Sequence, residues 1–202
     1  MTRSYRRFAN LRILALSASA SAALALGAQV YAQSQAQPAA SGTGAASAAH
    51  DKAMGQLAGA DKDFLENAAQ SGHFEIEGSK LALAKSSNAD VKTFAQKMLD
   101  DHGKVGAELA ALAGRKGYEA PTGPSLMQQA KLKTLDMSDD GFDKRYAEMI
   151  AVTAHEEAVT LFRKASEEAK DPEVKAFAAK VLPALKEHLT LAQALQSKVG
   201  GK

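Results

Sequence analysis

The sequence predicts an all-α domain that folds as a bundle of four helices, and two observations carry this prediction. Apolar residues recur every three to four positions along four long segments, which is the period of a helix with one buried face. The alternating β-branched residues that would indicate strands form no convincing run. The four amphipathic segments therefore have to pack their apolar faces against one another.

Capping residues set the predicted ends of these helices. Asn88 and Ser138 are residues of the type that caps the N-terminus of a helix, and Pro172 suits the first position inside one. A short additional helix is predicted over residues 125–135, in the connection between helices two and three. The four main helices are predicted to cover about 62–85, 89–116, 139–170 and 172–198.

An internal repeat relates helix two to helix four. Residues 90–99 (DVKTFAQKML) match residues 173–182 (EVKAFAAKVL) at an offset of 83 residues. The two helices are therefore equivalent members of two helical hairpins. Short connections inside each hairpin, with a longer crossover between helices two and three, are typical of a ferritin-like antiparallel four-helix bundle.

The N-terminal segment has the features of an export signal. Residues 1–12 hold four arginines and no acidic residue, and an apolar run follows over 13–28. Small residues in the segment Val30–Ala32 fit a cleavage site near Ala32. We therefore expect a signal peptide over 1–32 and export to the periplasm or cell envelope; an uncleaved anchor is the alternative. The Ala/Ser/Gly/Gln-rich tract 33–60 predicts a disordered linker before a folded domain over 61–198.

Composition excludes several classes of function. The net charge of +2 comes from the signal, because removing its four arginines leaves 21 Lys and Arg against 23 Asp and Glu, or −2. Nothing then favours nucleic acid as a partner. The absence of cysteine excludes disulfides, thiolate catalysis and thiolate metal sites. No second hydrophobic stretch predicts a membrane span in the mature chain, and the oligomeric state stays open.

Four of the five histidines fall one to each predicted helix: His73, His102, His155 and His188. On a helical wheel of about 100° per residue, His102 and His188 lie inside the apolar stripes of helices two and four. On helix one the wheel places His73 on the solvent side, whereas Glu75 falls in the middle of the apolar stripe. Glu75 therefore replaces His73 as the inward-facing polar residue of helix one.

Helix three presents two apolar faces, rotated by about a quarter turn or more relative to each other. One face, which includes Tyr146, carries Glu156 inward. The other face, which includes Val152 and Phe162, carries His155 inward. The larger apolar residues flank the histidine, so the pattern favours His155 over Glu156 as the residue that faces the core.

The inward-facing polar residues lie near the midpoints of their helices, and midpoints share one layer in an antiparallel bundle. Imidazole nitrogens and carboxylates together suit one transition-metal ion, Zn, Fe, Mn or Cu. The alternative is a buried hydrogen-bonded polar layer that only fixes the register of a structural or interaction module. The predicted metal site consists of Glu75, His102, His155 and His188, with Asp101 and Glu156 as near neighbours.

Several motifs resemble one exported bacterial family, the domain of unknown function 4142. They are GSKLA at 78–82, VKxFA at 91–95, DDH at 100–102, FDxxY at 142–146, HE at 155–156 and LPxLxxHL at 182–189. The resemblance covers about residues 61–195. It implies a ferritin-like fold and an exported location, and members are often labelled outer membrane proteins. It implies no particular chemistry.

The chain departs from the di-iron pattern of ferritin-like proteins. That pattern requires a glutamate three residues before the histidine on two of the helices. Leu99 and Leu185 occupy the positions three before His102 and His188, so a ferroxidase centre is disfavoured. No phosphate-binding loop or nucleophile motif is present either. The sequence thus favours a binding or structural role over catalysis, and a metal-dependent redox enzyme is a third, weaker alternative.

Overall fold

The computed structural model describes residues 57–200, and this range is helical without any strand. The helices are α1 (Gly59–Lys85), α2 (Ala89–Arg115), α3 (Leu126–Asp136), α4 (Phe142–Tyr146), α5 (Ala154–Glu168) and α6 (Pro172–Gly200). A π-helical segment, Ala147–Thr153, joins α4 to α5 without a break. The all-α prediction is confirmed. The predicted signal over 1–32 and most of the predicted linker over 33–60 lie outside the described residues.

Side-chain caps mark the starts of three helices, which begin within one residue of the predicted positions. The Asn88 side chain accepts the N–H groups of Asp90 and Val91 at the start of α2. The Asp171 carboxylate does the same for the first turn of α6, which opens with a proline. Ser125 and Gln128 form a reciprocal capping box at the start of α3.

The predicted cap at Ser138 is wrong. Its hydroxyl donates to the carbonyl of Thr134, 3.0 Å away, and so extends the end of α3. The composite helix begins at Phe142 instead, after Gly141 in the left-handed conformation with φ of 77°. Glycine reaches this conformation without the steric penalty that other residues incur. The start of helix three therefore lies three residues later than the sequence predicts.

Two helical hairpins make up the domain. Helix α1 packs along α2, and α5 packs along α6; α1 also contacts α5, and α2 contacts α6. Residues 86–88 and 169–171 connect the helices inside each hairpin, while residues 116–141, which include α3, connect one hairpin to the other. Within 57–200, no helix has the length and apolar character needed to cross a membrane.

Two apolar clusters occupy the core, one toward each end of the bundle. One cluster includes Val91, Phe94, Met98, Phe142, Ile150 and Leu195, and the other includes Phe64, Leu65, Leu109, Phe162, Phe177 and Leu185. His102, His155 and His188 fall between the two clusters along their helices, and Glu75 directly follows Phe74, a member of the first cluster. The order of the clusters reverses from α1 to α2 and from α5 to α6, so the two helices of each hairpin run antiparallel.

A buried carboxylate that the sequence does not single out ties the two hairpins together. Asp61, on the first turn of α1, is buried and accepts the backbone N–H groups of Lys170 and Asp171 at 3.1 and 2.7 Å. Those two residues form the turn between α5 and α6. Hydrogen bonds from these donors satisfy the buried charge and fix the second hairpin against α1.

Close approach between α1 and the π-helical segment depends on a glycine. A Cβ atom built at Gly78 would lie 2.8 Å from Cδ1 and Cγ1 of Ile150, which is fully buried. A side chain at this position would have to displace a core residue on the segment that precedes His155. Gly78 is therefore required for the packing that supports the histidine layer.

Replacing Gly78 with alanine should destabilise the bundle by about 1–3 kcal/mol, because the added methyl group overpacks the core. The free energy of unfolding, measured by urea denaturation with circular dichroism, checks this. Gly72→Ala on the same helix is the control, because a Cβ there meets no atom within 4 Å. It should stabilise the chain by about 0.5–1 kcal/mol. If Gly78→Ala lowers the free energy of unfolding by the same amount in an Ile150→Ala background, the clash with Ile150 is not the cause.

Candidate metal centre

Three imidazoles and one carboxylate meet at the middle of the bundle. The exposed fractions are 1% for Glu75, 4% for His102, 0% for His155 and 3% for His188. The three ring centroids form a nearly equilateral triangle with sides of 5.4, 5.4 and 5.5 Å. Each residue comes from a different helix, so four helices have to hold their register for the cluster to form.

The histidines can offer three nitrogen atoms to a common point. One ring nitrogen from each of His102, His155 and His188 can be chosen so that all three atoms lie within 4.8 Å of one another. The shortest separation, 3.3 Å, joins Nε2 of His102 to Nε2 of His155. Neutral imidazole nitrogen is the commonest metal ligand in proteins.

Each imidazole also has one nitrogen close to an oxygen acceptor. Nδ1 of His102 lies 3.0 Å from Oε2 of Glu75, and Nε2 of His188 lies 3.1 Å from Oδ2 of Asp101. Nδ1 of His155 lies 3.4 Å from the carbonyl oxygen of Ile150. A ring N–H that donates to such an oxygen fixes the tautomer and leaves the opposite nitrogen with its lone pair. Those opposite atoms are Nε2 of His102, Nε2 of His155 and Nδ1 of His188.

The π-helical segment positions the acceptor for His155. Within it the N–H of Ala154 bonds to the carbonyl of Met149, five residues earlier instead of four. The wider turn brings the carbonyl of Ile150 to the side chain of the residue five positions later. Short π-helical stretches occur frequently at functional sites, where they redirect a side chain from the α-helical register.

Glu75 and His102 form a buried pair of titratable groups. Burial alone would raise the pKa of Glu75, but attraction to the imidazoles, foremost His102, and the hydrogen bond with His102 outweigh it and hold that pKa below its ordinary value. Burial also disfavours the charged form of His102. Attraction to Glu75 and the hydrogen bond between them are stronger, so the pKa of His102 is raised. Each partner therefore favours the charged form of the other.

The other two histidines are held neutral. Burial, reinforced by His102 and His155, lowers the pKa of His188 to about 4 despite its contact with Asp101. Burial likewise lowers the pKa of His155, although Glu75 opposes this. Two neutral imidazoles thus stand beside the one whose charged form Glu75 favours. When His102 is protonated, its Nε2 atom donates to the lone pair of His155 across the 3.3 Å gap.

Two buried polar atoms of the cluster have no hydrogen-bond partner within the part of the chain that the structure describes. They are Oε1 of Glu75 and Nδ1 of His188. A buried polar group without a partner costs about 1–3 kcal/mol, so such atoms call for a ligand, an ion or a water molecule. Both unsatisfied atoms belong to the same layer of polar side chains.

Asp101 links the layer to the protein surface. It is half-buried, and its Oδ2 atom lies 2.9 Å from Nζ of Lys97 as well as 3.1 Å from Nε2 of His188. Burial raises the pKa of Asp101, but Lys97 and His188 outweigh it, so the pKa is lowered and the group stays ionised. Asp101 is thus an anionic acceptor behind His188, as Glu75 is behind His102.

The structure brings together most of the predicted site. Glu75, His102, His155 and His188 share the layer, and Asp101 borders it. Glu156 is exposed and contributes nothing, and half-buried His73 lies outside the group. The carboxylate of Glu75 faces Nδ1 atoms, at 3.0 Å from His102 and 4.0 Å from His155, and therefore stands behind the rings.

Sequence reasoning missed the Ile150 carbonyl and a buried hydrogen bond between the hydroxyls of Ser79 and Tyr146, 3.1 Å apart. Burial raises the pKa of Tyr146, which keeps the phenol protonated next to the apolar cluster. The two rotated apolar faces of helix three were a signal of the π-helical segment, because an interrupted α-helical period produces such a rotation.

In metal-free protein the free energy of unfolding should fall as pH drops from 6.5 to about 4. Because the folded state lowers the pKa of His188, the unfolded chain binds more protons in this window and acid favours unfolding. His155 acts in the same direction, and Glu75 adds to the loss below its ordinary pKa of 4.5. His102 opposes them: its raised pKa stabilises the fold below 6.5, and this contribution is lost as pH rises through that raised pKa.

Urea midpoints measured at a series of pH values with a chelator present check this dependence. His188→Gln should reduce the loss of stability between pH 6.5 and 4, because the glutamine side chain does not titrate. His73→Gln, outside the cluster, should keep the dependence of the parent protein. Identical pH profiles for His188→Gln and the parent would contradict the assignment.

Comparison with solved structures identifies similar folds. The fold resembles that of a DUF305 fragment from Deinococcus radiodurans, with a TM-score of 0.61 and 14% identity, over 70% of this chain and 98% of that one. It also resembles a conserved hypothetical protein from Mycobacterium tuberculosis, with a TM-score of 0.56 and 21% identity, over 68% of this chain and 91% of that one. At these identities the similarity shows the fold alone.

Sequence comparison identifies the family. No curated protein matches the sequence. The family model described as Domain of unknown function (DUF4142) matches residues 45–195, which include Glu75 and all three histidines of the layer. The match covers well over half of the chain and agrees with the motifs that resemble this family. The protein belongs to the DUF4142 family.

Proposed function

We propose that this protein is an exported, ferritin-like helical bundle that binds one transition-metal ion through His102, His155 and His188. One observation carries the proposal: each of three buried imidazoles has one nitrogen engaged by an oxygen, which leaves the other nitrogen available. Metal-binding histidines in proteins almost always have such an acceptor on the nitrogen that does not bind the metal. Export rests on the signal features of residues 1–32.

The distance between two of the nitrogens fits a shared metal ion. Two imidazole ligands of a tetrahedral zinc ion, with bonds of about 2.0–2.1 Å, lie about 3.3–3.4 Å apart. Nε2 of His102 and Nε2 of His155 are 3.3 Å apart. Two lone pairs at this distance repel unless a proton or a cation lies between them. Either species is therefore compatible with the pair, and the third histidine distinguishes the two cases.

His188 favours the metal over the proton. Its Nδ1 atom is buried without a partner in the described chain, and its ring contacts both other imidazoles. A proton shared by the first pair leaves this atom unsatisfied, whereas a metal ion accepts a third imidazole nitrogen. Three histidines leave a further coordination position for water or another ligand, as at open zinc sites. A bound ion would act there as a Lewis acid.

The ligand set restricts the metal and its role. Imidazole nitrogens suit Zn, Cu and Fe, and a neighbouring carboxylate also tolerates Mn. Glu75 and Asp101 stand behind the rings as hydrogen-bond acceptors, so neither of these two carboxylates is placed to bridge two ions. Binding or sequestration of a single ion therefore fits the site better than di-iron oxygen chemistry.

A second candidate is a structural module of the cell envelope whose buried polar layer only fixes helix register. One observation favours it: hydrogen bonds run without interruption from Glu75 through His102 and His155 to the Ile150 carbonyl when His102 is protonated. Such a network specifies helix pairing without a metal. The two candidates differ in whether the purified protein contains an ion.

Untagged protein purified from the periplasm should contain one equivalent of transition metal by mass spectrometry. Replacing His102, His155 or His188 with alanine should each weaken Zn²⁺ binding by more than about 100-fold in titration calorimetry. Loss of an acceptor behind a ligand typically costs 10–100-fold, so Asp101→Asn should fall within about that range. A metal present at 100 times its dissociation constant should stabilise the fold by about 2.7 kcal/mol.

His73→Ala is the matched control for these variants, because it removes a histidine of α1 that lies outside the cluster. Its metal content and Zn²⁺ affinity should equal those of the parent. Absence of stoichiometric metal, together with no thermal shift in Zn, Fe, Mn or Cu, would refute the metal proposal and leave the polar-layer interpretation.

A further inference from the structure

Helix α3 carries most of the large apolar side chains that are exposed within residues 57–200. Of the four such residues, Leu126 and Met127 on α3 are 84% and 70% exposed, and Met137 at its C-cap is 74% exposed. The fourth, Leu191 on α6, is only 39% exposed. Single exposed apolar residues are common, whereas several on one element indicate an interaction surface. The concentration on one short helix therefore indicates a partner for α3.

The exposed residues form one stripe along the helix. On a wheel of about 100° per residue, five exposed residues fall within an arc of about 100°. This α3 stripe consists of Leu126, Met127, Ala130, Thr134 and Met137. The opposite side of the helix packs against the bundle, because Leu135 belongs to the apolar cluster that includes Phe94, and half-buried Leu132 packs against that cluster. The inner face thus holds α3 in place, and the α3 stripe points away from the core.

Charge is distributed unevenly along this part of the chain. Residues 120–135 contain two lysines, Lys131 and Lys133, and no acidic residue. Residues 136–143 contain four aspartates and no basic residue. Lys85 contacts Asp136 and Asp139, both at 3.5 Å, and offsets one of these negative charges. The α3 stripe therefore runs from a basic half to an acidic end.

A second copy of the same surface complements this one when the two helices are antiparallel. The aspartates of one copy then lie beside the N-terminal end of α3 in the other, where the helix dipole provides partial positive charge. In the same arrangement Met127 of one copy lies opposite Met137 of the other, so apolar side chains meet at both ends. A parallel arrangement would place acidic ends together. The antiparallel pair is isologous and closes after two copies.

A lipid surface fits the charges less well. Anionic head groups would attract Lys131 and Lys133. They would repel the aspartates that flank Met137, although this methionine is as exposed as Met127. A second copy uses both ends of the stripe, whereas an anionic bilayer uses only one.

We propose that two copies of this protein associate through antiparallel packing of their α3 stripes. Leu126 and Met127 of each copy contact Met137 of the other, and the acidic end of each stripe lies against the acid-free half of the other. The contact area is small, and interfaces of that size form weak, reversible complexes. The surface lies on the connection between the two hairpins and contains none of the proposed metal ligands.

Sedimentation equilibrium measures this association on the untagged full chain purified from the periplasm. The parent protein should show a reversible monomer–dimer equilibrium as its concentration is raised. Leu126→Gln and Met137→Gln should each weaken dimerisation by at least about tenfold, because a symmetric dimer loses each apolar contact twice. Circular dichroism should show folded protein for both variants, since the replaced side chains are exposed. The matched control is Leu191→Gln on α6, which should dimerise like the parent.

The charge pattern has its own test. Asp140→Lys should weaken dimerisation by at least about tenfold, because it places a cation beside the positive end of the helix dipole in the second copy. Glu168→Lys makes the same change of charge at an exposed residue at the end of α5. It should leave the dimerisation constant unchanged.

Single cysteines test the antiparallel arrangement, because the chain has no cysteine of its own. Met127 and Met137 are about 15 Å apart along one helix, whereas a disulfide requires Cα atoms about 4.4–6.8 Å apart. Mild oxidation of an equimolar mixture of Met127→Cys and Met137→Cys should therefore give mainly the mixed disulfide. Labelling one variant with ¹⁵N identifies the mixed product by its mass.

Three results would overturn the proposal: a monomer at every concentration, a dimer that survives both stripe substitutions, or disulfides that form mainly between like variants. Vesicles of phosphatidylglycerol provide a further test. If they bind a monomeric protein and Leu126→Gln abolishes that binding, the stripe contacts lipid and the proposal is wrong. Metal content of the same samples is a separate readout, so failure here leaves the metal proposal intact.

Discussion

The negative charge of Glu75 is the constraint on which the rest of the layer depends. A carboxylate removed from water is costly unless other groups supply charge and hydrogen bonds. His102 can supply both at 3.0 Å, and burial, together with the charge of His102, lowers the pKa of His155 and of His188. The three histidines thus cannot titrate independently. A single buried carboxylate thus raises the pKa of the histidine beside it and, through the charge of that histidine, affects the pKa values of the other two.

Most of the helical architecture was predictable because its determinants are local. The side chain of Asn88 caps the backbone two and three residues later, and the apolar stripes around His102 and His188 follow a regular period. The repeat is also structural, since Val91 and Phe94 are buried on α2 as Val174 and Phe177 are on α6. At the same offset His102 corresponds to Leu185, so the second histidine lies about one turn beyond the repeat.

The features that could not be predicted depend on partners distant in the chain. The role of Asp61 requires the backbone of residues 170–171, more than a hundred positions away. The wheel places Glu75 inward, but it cannot show that the carboxylate faces the Nδ1 side of the rings rather than the opposite nitrogens. Ser138 has the residue type of a cap, but the backbone of Gly141 decides where the helix begins. Local patterns predict burial, whereas pairing within the core requires the tertiary fold.

The π-helical segment has a consequence for how this site arises and is lost in evolution. Each wide turn accommodates one residue more than an α-helical turn, so Ala147–Thr153 is equivalent to an insertion absorbed within a continuous helix. Deleting one residue there would restore the ordinary period and rotate α5 by about 100° relative to α4. The apolar composition would be unchanged, yet His155 would leave the layer. Chain length between Tyr146 and His155 is therefore as much a determinant of the site as the histidines themselves, and a gap in an alignment there would matter as much as a substitution.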